Sequence, residues 1–400
     1  MTERPFRIRT ITSFVNIDPS DFDNDSSSLR QKINACSRLL RDGQAQMISA
    51  GFEVQTIRIA TNPFGEWLVT AADQEGVIKR LNELNNLLSE CDINFCSLGP
   101  SYDPAHTTTI CHEIVSIAPG RFSCSANILA GDNTAALAAA KCIQTISLKD
   151  DGDHLKGGLG NFRFAAASCI DTVPFFPGAR APQELGKNTI AFAVGLENGG
   201  FAKELLQEAG SIENVQTVFY DKMRKELLPI QQICEGLESD GIEYLGIDTS
   251  LNPSLDDGGS VAEAIECLDE VDVFGSPGTM AAAAAITTSL QSIPDVKTTG
   301  YSGLMLPVLE DRRLAELDTL TIQKLLCISS VCGVGIDTVP IPGDVSERDL
   351  ASLILDVAAL ACRWNKPLSC RVFPVPGCQA GVATSFDSPY MCNSSIFPLE

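Results

Sequence analysis

The sequence predicts a parallel α/β protein of barrel-like build, and three observations predict it. Apolar strand-like runs alternate with helical patterns along all 400 residues. Runs of hairpins are missing, so successive strands need helical crossovers. No Pro/Ser-rich linker or low-complexity stretch divides the chain, so 1–400 reads as one large domain.

The elements follow in order. Residues 7–17 (R-I-R-T-I-T-S-F-V-N-I) alternate with period two and give the opening strand. Residues 27–49 place Leu29, Ile33, Cys36, Leu40 and Met47 close to one stripe, the pattern of an amphipathic helix. A strand at 52–60, a helix at 74–89 and a strand at 93–98 come next. A short fourth strand is expected at 113–117, then an Ala-rich helix at 134–146. Residues 147–160 form a polar loop and mark a candidate subdomain boundary. Strands at 162–168 and 189–194 precede helices at 199–209 and 212–238. A strand at 243–249 ends in acidic and hydroxyl residues. Helices are expected at 261–268, 280–290, 321–331 and 347–362, and a last strand at 368–373. Pro340 to Pro342 reads as a turn, and 386–400 as an irregular tail.

Lys and Arg total 29 against 51 Asp and Glu, a formal charge of −22. Such a surface repels phosphate backbones and anionic lipid heads, so neither nucleic acid nor membrane is an expected partner. With charged residues at 20% and hydrophobic ones at 44%, the composition is globular. The opening residues carry no apolar signal region, and the 15 cysteines are scattered through apolar segments. Reduced, buried thiols in a cytoplasmic protein are the expectation. A symmetric homodimer is the default assembly.

Two helix starts are signed. Ser260 with Glu263 makes an S-x-x-E capping box, and Ser276-Pro277 puts a cap residue before a first-turn proline. The glycine loops 157–160 and 195–200 match neither a Walker loop nor the dinucleotide fingerprint, so no nucleotide cofactor is expected. Cys91 and Cys96 lack the second ligand pair of a structural zinc site and read as core thiols. The three histidines come with no G-x-S-x-G elbow, which argues against a serine triad.

Cys332 is the best-placed thiol, between a helix and a loop freed by Gly333 and Gly335, with Asp337 five residues on. It reads either as a nucleophile or as a buried Cys at a helix C-terminus. Asp248 ends a strand, where parallel α/β folds face their sites. It reads either as a metal ligand or acid–base group, or as a cap for the next helix. Glu310 follows the apolar stretch 303–309.

Segments along the chain also carry a resemblance. They are R-I-R-T-I-T (7–12), S-A-N-I (125–128), P-F-F-P-G-A (174–179) and D-T-S-L-N-P-S (248–254) with the later Gly259-Ser260-Val261. G-S-P-G-T (275–279), S-G-L-M-L-P-V-L-E-D (302–311) and C-G-V-G-I-D-T-V-P-I-P (332–342) complete the set. Together, in this order, they resemble the domain of unknown function 711 family, also called uncharacterised protein family 0210. The resemblance implies a fold similar to pyruvate formate-lyase: a ten-stranded α/β barrel of two five-stranded halves, with a loop entering the centre. It implies no settled reaction. The glycyl-radical signature R-V-x-G-aromatic is replaced here by R-V-F-P-V-P-G (371–377), and no adjacent Cys pair exists, so radical chemistry is not expected.

On these motifs two readings stand. One is an enzyme acting on a small polar metabolite inside the barrel by hydrolase- or lyase-type chemistry. Cys332, Asp337, Asp248 and Glu310 would be its catalytic groups. Ser125, Asn127, Ser250, Gly278, Thr279, Ser302 and Gly303 would bind substrate. The other is a non-catalytic sensor for a small ligand or a metal. Asp248 and Asp337 are the candidate metal ligands, and calcium or magnesium is the expected ion, since hard oxygens outnumber imidazoles. Carboxylates at strand ends suggest an acidic interior suited to a metal or an amine. One shared site requires Cys332, Asp248 and Thr279 to lie within about 15 Å of each other, so that acid–base partners reach one substrate.

Overall fold

The computed structural model describes residues 4–69 and 74–399. Residues 1–3 of the opening and Glu400 of the tail lie outside the described residues.

Nine strands form one sheet. They are β1 (Arg7–Val15), β2 (Val54–Thr61), β3 (Cys96–Ser101), β4 (Phe122–Asn127), β5 (Phe164–Ser168), β6 (Ile190–Glu197), β7 (Ile242–Asp248), β8 (Gly335–Pro342) and β9 (Leu368–Val375). Their order is β7-β6-β1-β2-β3-β4-β5-β9-β8. Strands β1 to β5 run parallel, as do β6 with β7 and β8 with β9. The two antiparallel joins are β1 with β6 and β5 with β9. The chain is therefore an α/β protein with one large, mostly parallel sheet. Segment 298–307 makes parallel bridges to both outer regions: Ile247 to Thr298, Leu251 to Leu304, and Pro307 to Asp337.

Period-two alternation gives each strand two different faces. Ile57 and Ile59 of β2, and Leu368, Cys370 and Val372 of β9, join the main core with helix residues such as Leu40, Leu81 and Ile354. Each large aliphatic side chain buried there contributes about 1.5–3 kcal/mol. Thr56, Arg58 and Ala60 alternate with those isoleucines, and Ser369, Arg371 and Phe373 with the residues of β9. The second face is covered by the β5–β6 connection. Thr12 Oγ1 donates to Pro174 O at 2.7 Å, Ser97 Oγ to Ala179 O at 2.7 Å, and Ala181 N to Thr61 O at 2.8 Å. Gly195 leaves room for the Phe175 ring; a Cβ there would stand 2.5 Å from it.

Several elements differ from the sequence reading. Residues 113–117 are not a strand: Cys111–Ser116 is helical, and β4 begins at Phe122. The expected 340–342 turn is the end of β8. Proline lacks an N–H, and β8 tolerates Pro340 and Pro342 because it is the last strand of the sheet, with a single bridge at Asp337 on its outer side. Ser276 does not cap its helix, which starts at Thr279 after Gly278. Ser260 does cap, its Oγ accepting from Glu263 N at 3.0 Å, but the Glu263 carboxylate pairs with Lys203 rather than closing the box. All 15 cysteines are free, and eight of them are buried. Among the described residues no helix is long and apolar enough to cross a membrane.

Candidate functional site

Guanidinium groups in the middle of apolar strands define the most unusual region. Buried arginines are rare unless paired, so each needs an account. Arg9 and Asp337 both sit at register shifts, in β1 between Ile8 and Thr10 and in β8 between Ile336 and Val339. Such bulges re-aim side chains. Thr338, next to Asp337, holds φ at 42°, a left-handed conformation that a β-branched residue rarely adopts.

These groups wall a cavity of about 650 Å³ at the N-terminal ends of β1 and β2 and the C-terminal end of β6. Arg9, Arg58, Arg163, Glu197 and Glu310 line it, with Phe95, Phe162 and Phe176. A recess of about 50 Å³ adjoins it and reaches Asp337, Tyr301, Ser369 and Arg371. Arg371 is engaged at all three nitrogens: Nε donates to Asp337 Oδ1 at 2.6 Å, Nη2 to Glu310 Oε1 at 3.0 Å, and Nη1 to Phe162 O at 3.3 Å. Arg9 pairs with Glu197 and lies 3.6 Å from Glu310. Glu197 also takes Arg7 and Gln55.

Arg58 is different. It is 5% exposed, and its hydrogen bond is from Nε to Thr56 Oγ1 at 2.9 Å. Among the described residues it has no carboxylate partner. Its guanidinium lies 4.5 Å from the Phe176 ring centroid and 5.0 Å from that of Phe95. Burial, and then Arg9, Arg371 and Arg163 around it, push its pKa well down, against the pull of Glu310. A positive charge is held there with no carboxylate in direct contact among the described residues. Burial also raises Glu310, although Arg371, Arg9 and Arg58 work against the rise.

Six carboxylates and four arginines line the cavity; Glu197 and Glu310 are held by arginines, whereas Arg58 and Arg163 have no carboxylate in contact among the described residues. A calcium or magnesium ion does not fit Asp248 and Asp337. Asp248 is fully buried and accepts from Ser250 N at 3.1 Å, Ser250 Oγ at 2.5 Å, Tyr301 N at 2.8 Å and Ser302 N at 3.1 Å. Asp337 is taken by Arg371. Among the described residues no three His, Cys, Asp or Glu side chains converge to hold a metal.

The other sequence candidates divide. Asp248, Ser250, Ser302 and Gly303 do come together, but as a knot tying segment 300–303 to the end of β7; Gly303 N donates to Ser250 Oγ at 3.1 Å. Cys332 lies in the main core, where burial raises its thiol pKa, and it lines neither the cavity nor the recess. Thr279 opens the helix Thr279–Gln291, whose far end accepts from Thr249 at Leu290 O. At 1.5 Å per residue that is roughly 16 Å of helix between Thr279 and Leu290. Gly278 and Thr279 are thus outside the cavity, as are Ser125 and Asn127 on β4. Of the sequence candidates Glu310 alone lines it, and Asp337 lines the adjoining recess. The four arginines were missed, although each stands in or beside an otherwise apolar run: R-I-R-T-I (with Arg7 beside Arg9), T-I-R-I-A, N-F-R-F-A and S-C-R-V-F.

A second cavity, about 360 Å³, lies at the C-terminal ends of β1 to β3. Its cations are all satisfied: Lys32 by Asp21 at 2.7 Å, Lys187 by Asp18 at 3.1 Å, Arg180 by Tyr102 Oη at 2.6 Å. The first cavity is distinguished by Arg58 and Arg163, which line it without a carboxylate in contact among the described residues.

The family model described as "Uncharacterised ACR (DUF711)" matches residues 1–388. The chain belongs to this family. A UPF0210 protein of Oenococcus oeni is 26% identical over 412 residues, covering 96% of this chain and 89% of its own. One from Pyrobaculum arsenaticum is 27% identical over 403 residues, with 94% and 87% covered. One from Methanopyrus kandleri is 29% identical over 227 residues, with 54% and 49% covered. This DUF711 chain thus aligns along most of the length of the first two relatives, and the family match takes in the cavity's lining residues from Arg7 to Ser388.

Proposed function

We propose that the protein is an enzyme acting on a small, polar, anionic metabolite bound in the arginine-walled cavity. The observation that carries this reading is Arg58: a buried guanidinium, without a carboxylate partner among the described residues, lining a cavity large enough for a metabolite. An anionic group placed there would make charge-assisted hydrogen bonds that the protein leaves unmade. Arg58 binds and orients. Glu310, held by Arg371 beside the bound anion, gives or takes a proton, in keeping with its raised pKa. Proton transfer next to an anionic group belongs to lyase- or hydrolase-type chemistry. The exposed Gly377 in R-V-F-P-V-P-G supports excluding a glycyl radical, which needs a sheltered site.

The same reading includes closure of the sheet. Segment 298–307 bridges both β7 and β8 sides, and we infer that it serves as a tenth, irregular strand completing a barrel around the β5–β6 connection. Cavity and recess would then be the open end of that barrel.

A purely ligand-sensing protein would use Arg58 equally but has no need of Glu310. Thermal unfolding with sulfate and phosphate, against chloride at matched ionic strength, tests the anion site. Stabilisation lost in Arg58→Gln supports it, and equal shifts in both proteins contradict it. Turnover of small carboxylates and phosphates, abolished in Glu310→Gln, separates enzyme from sensor.

A further inference from the structure

We propose that the ligand of this cavity is a dianion, specifically a short-chain dicarboxylate, gripped at one carboxylate by Arg58 and at the other by Arg163. This rests on reading the cavity as an anion site and adds the number and spacing of the charges.

Arg7, Arg9 and Arg371 all have carboxylate partners. Arg58 and Arg163 have none among the described residues, and both line the cavity. Arg163 is the sharper case. Its Nη1 is buried and makes no hydrogen bond. Buried polar atoms are nearly always paired, so this guanidinium is short of partners within the protein. The two guanidiniums share one aromatic surface: Arg58 lies 5.0 Å and Arg163 5.9 Å from the Phe95 centroid. Phe176 stacks on Phe95 at 5.4 Å and 14°. The wall thus presents two positive charges joined by an apolar strip. A monoanion neutralises one charge and strands the other. A short dicarboxylate answers both, its methylenes lying along the rings.

Calorimetric titration of the full chain with succinate and glutarate, against butyrate and valerate of the same chain lengths, tests this. Sulfate and inorganic phosphate serve as compact anions. In the wild type the dicarboxylates are expected to bind about tenfold tighter or more than their monocarboxylate counterparts. Arg163→Gln should bring the ratio to about one while leaving the monocarboxylates within about threefold, and Arg163→Lys should keep most of the preference because the charge remains. A ratio near one in the wild type, or one unchanged in Arg163→Gln, overturns the two-point grip. Phosphate or sulfate matching the dicarboxylates overturns it in favour of one compact anion. Failure of every anion to bind overturns the anion site itself, and the dicarboxylate with it.

Discussion

Glu310 Oε1 accepts from Arg371 Nη2 at 3.0 Å, while the same guanidinium donates Nε to Asp337 Oδ1 at 2.6 Å. One arginine thus holds two buried carboxylates from separate chain segments. Breaking such a pair from one side leaves charges uncompensated, which costs far more than the intact pair contributes.

Arg371→Met should therefore destabilise by about 3–5 kcal/mol in urea unfolding. Adding Glu310→Gln and Asp337→Asn to it should restore part of the loss, because the stranded charges are gone. A triple variant no more stable than Arg371→Met would mean that the arginine acts by packing alone.

Anion affinity should depend on pH, with its sign set by Glu310. Burial raises this carboxyl's pKa, so ionisation finishes only above the ordinary carboxylate range. Below that pKa Glu310 is neutral; above it a negative charge stands beside the anion. Sulfate keeps its two charges from about pH 4 to 8, so its affinity should fall as pH rises through the Glu310 pKa. In Glu310→Gln the profile should be flat over the same window. Titration calorimetry across pH reads both.

Asp311 caps two helices at once. It accepts from Ser260 Oγ at 2.5 Å and Val261 N at 2.9 Å, and from Arg313 N at 3.0 Å and Leu314 N at 3.2 Å. A lost cap costs about 0.5–2 kcal/mol, so Asp311→Ala should lose roughly twice that by denaturant unfolding. Asp311→Asn, which keeps one acceptor, should lose less.

Gly300 and Gly157 form a matched pair. Both hold a positive φ, 68° and 64°, but a Cβ on Gly300 would stand 2.2 Å from Asp248 Oδ2, whereas Gly157 faces open space. Gly157→Ala should cost about 1–2 kcal/mol from backbone strain alone. Gly300→Ala should cost about 1–3 kcal/mol beyond that, because it also breaks the Asp248 knot. Equal melting temperatures for the two variants would refute the role given to that knot.

The helices were legible because amphipathic stripes are local: 27–49 reads from its stripe and is found as Ser27–Ser49. Strand β4 was missed because F-S-C-S-A-N carries small polar residues rather than β-branched ones, and β8 because its prolines mimic a turn. Of the site, the carboxylates Glu310 and Asp337 were visible as charges near Gly-rich motifs. Asp248 looked equally chemical, yet its oxygens are consumed by amides and hydroxyls that only the folded chain brings near. The arginines were hidden by the total charge. A chain at −22 suggests acidic sites, but among the described residues the buried charges are close to balance, four arginines against five carboxylates.

The most direct test of the central claim is a crystal grown with sodium selenate, a dianion whose anomalous signal marks its position. A peak is expected in the cavity within hydrogen-bond distance of the Arg58 guanidinium, lost in Arg58→Gln crystals. A cavity without a peak while selenate orders elsewhere on the protein, or a peak that persists without Arg58, would contradict it.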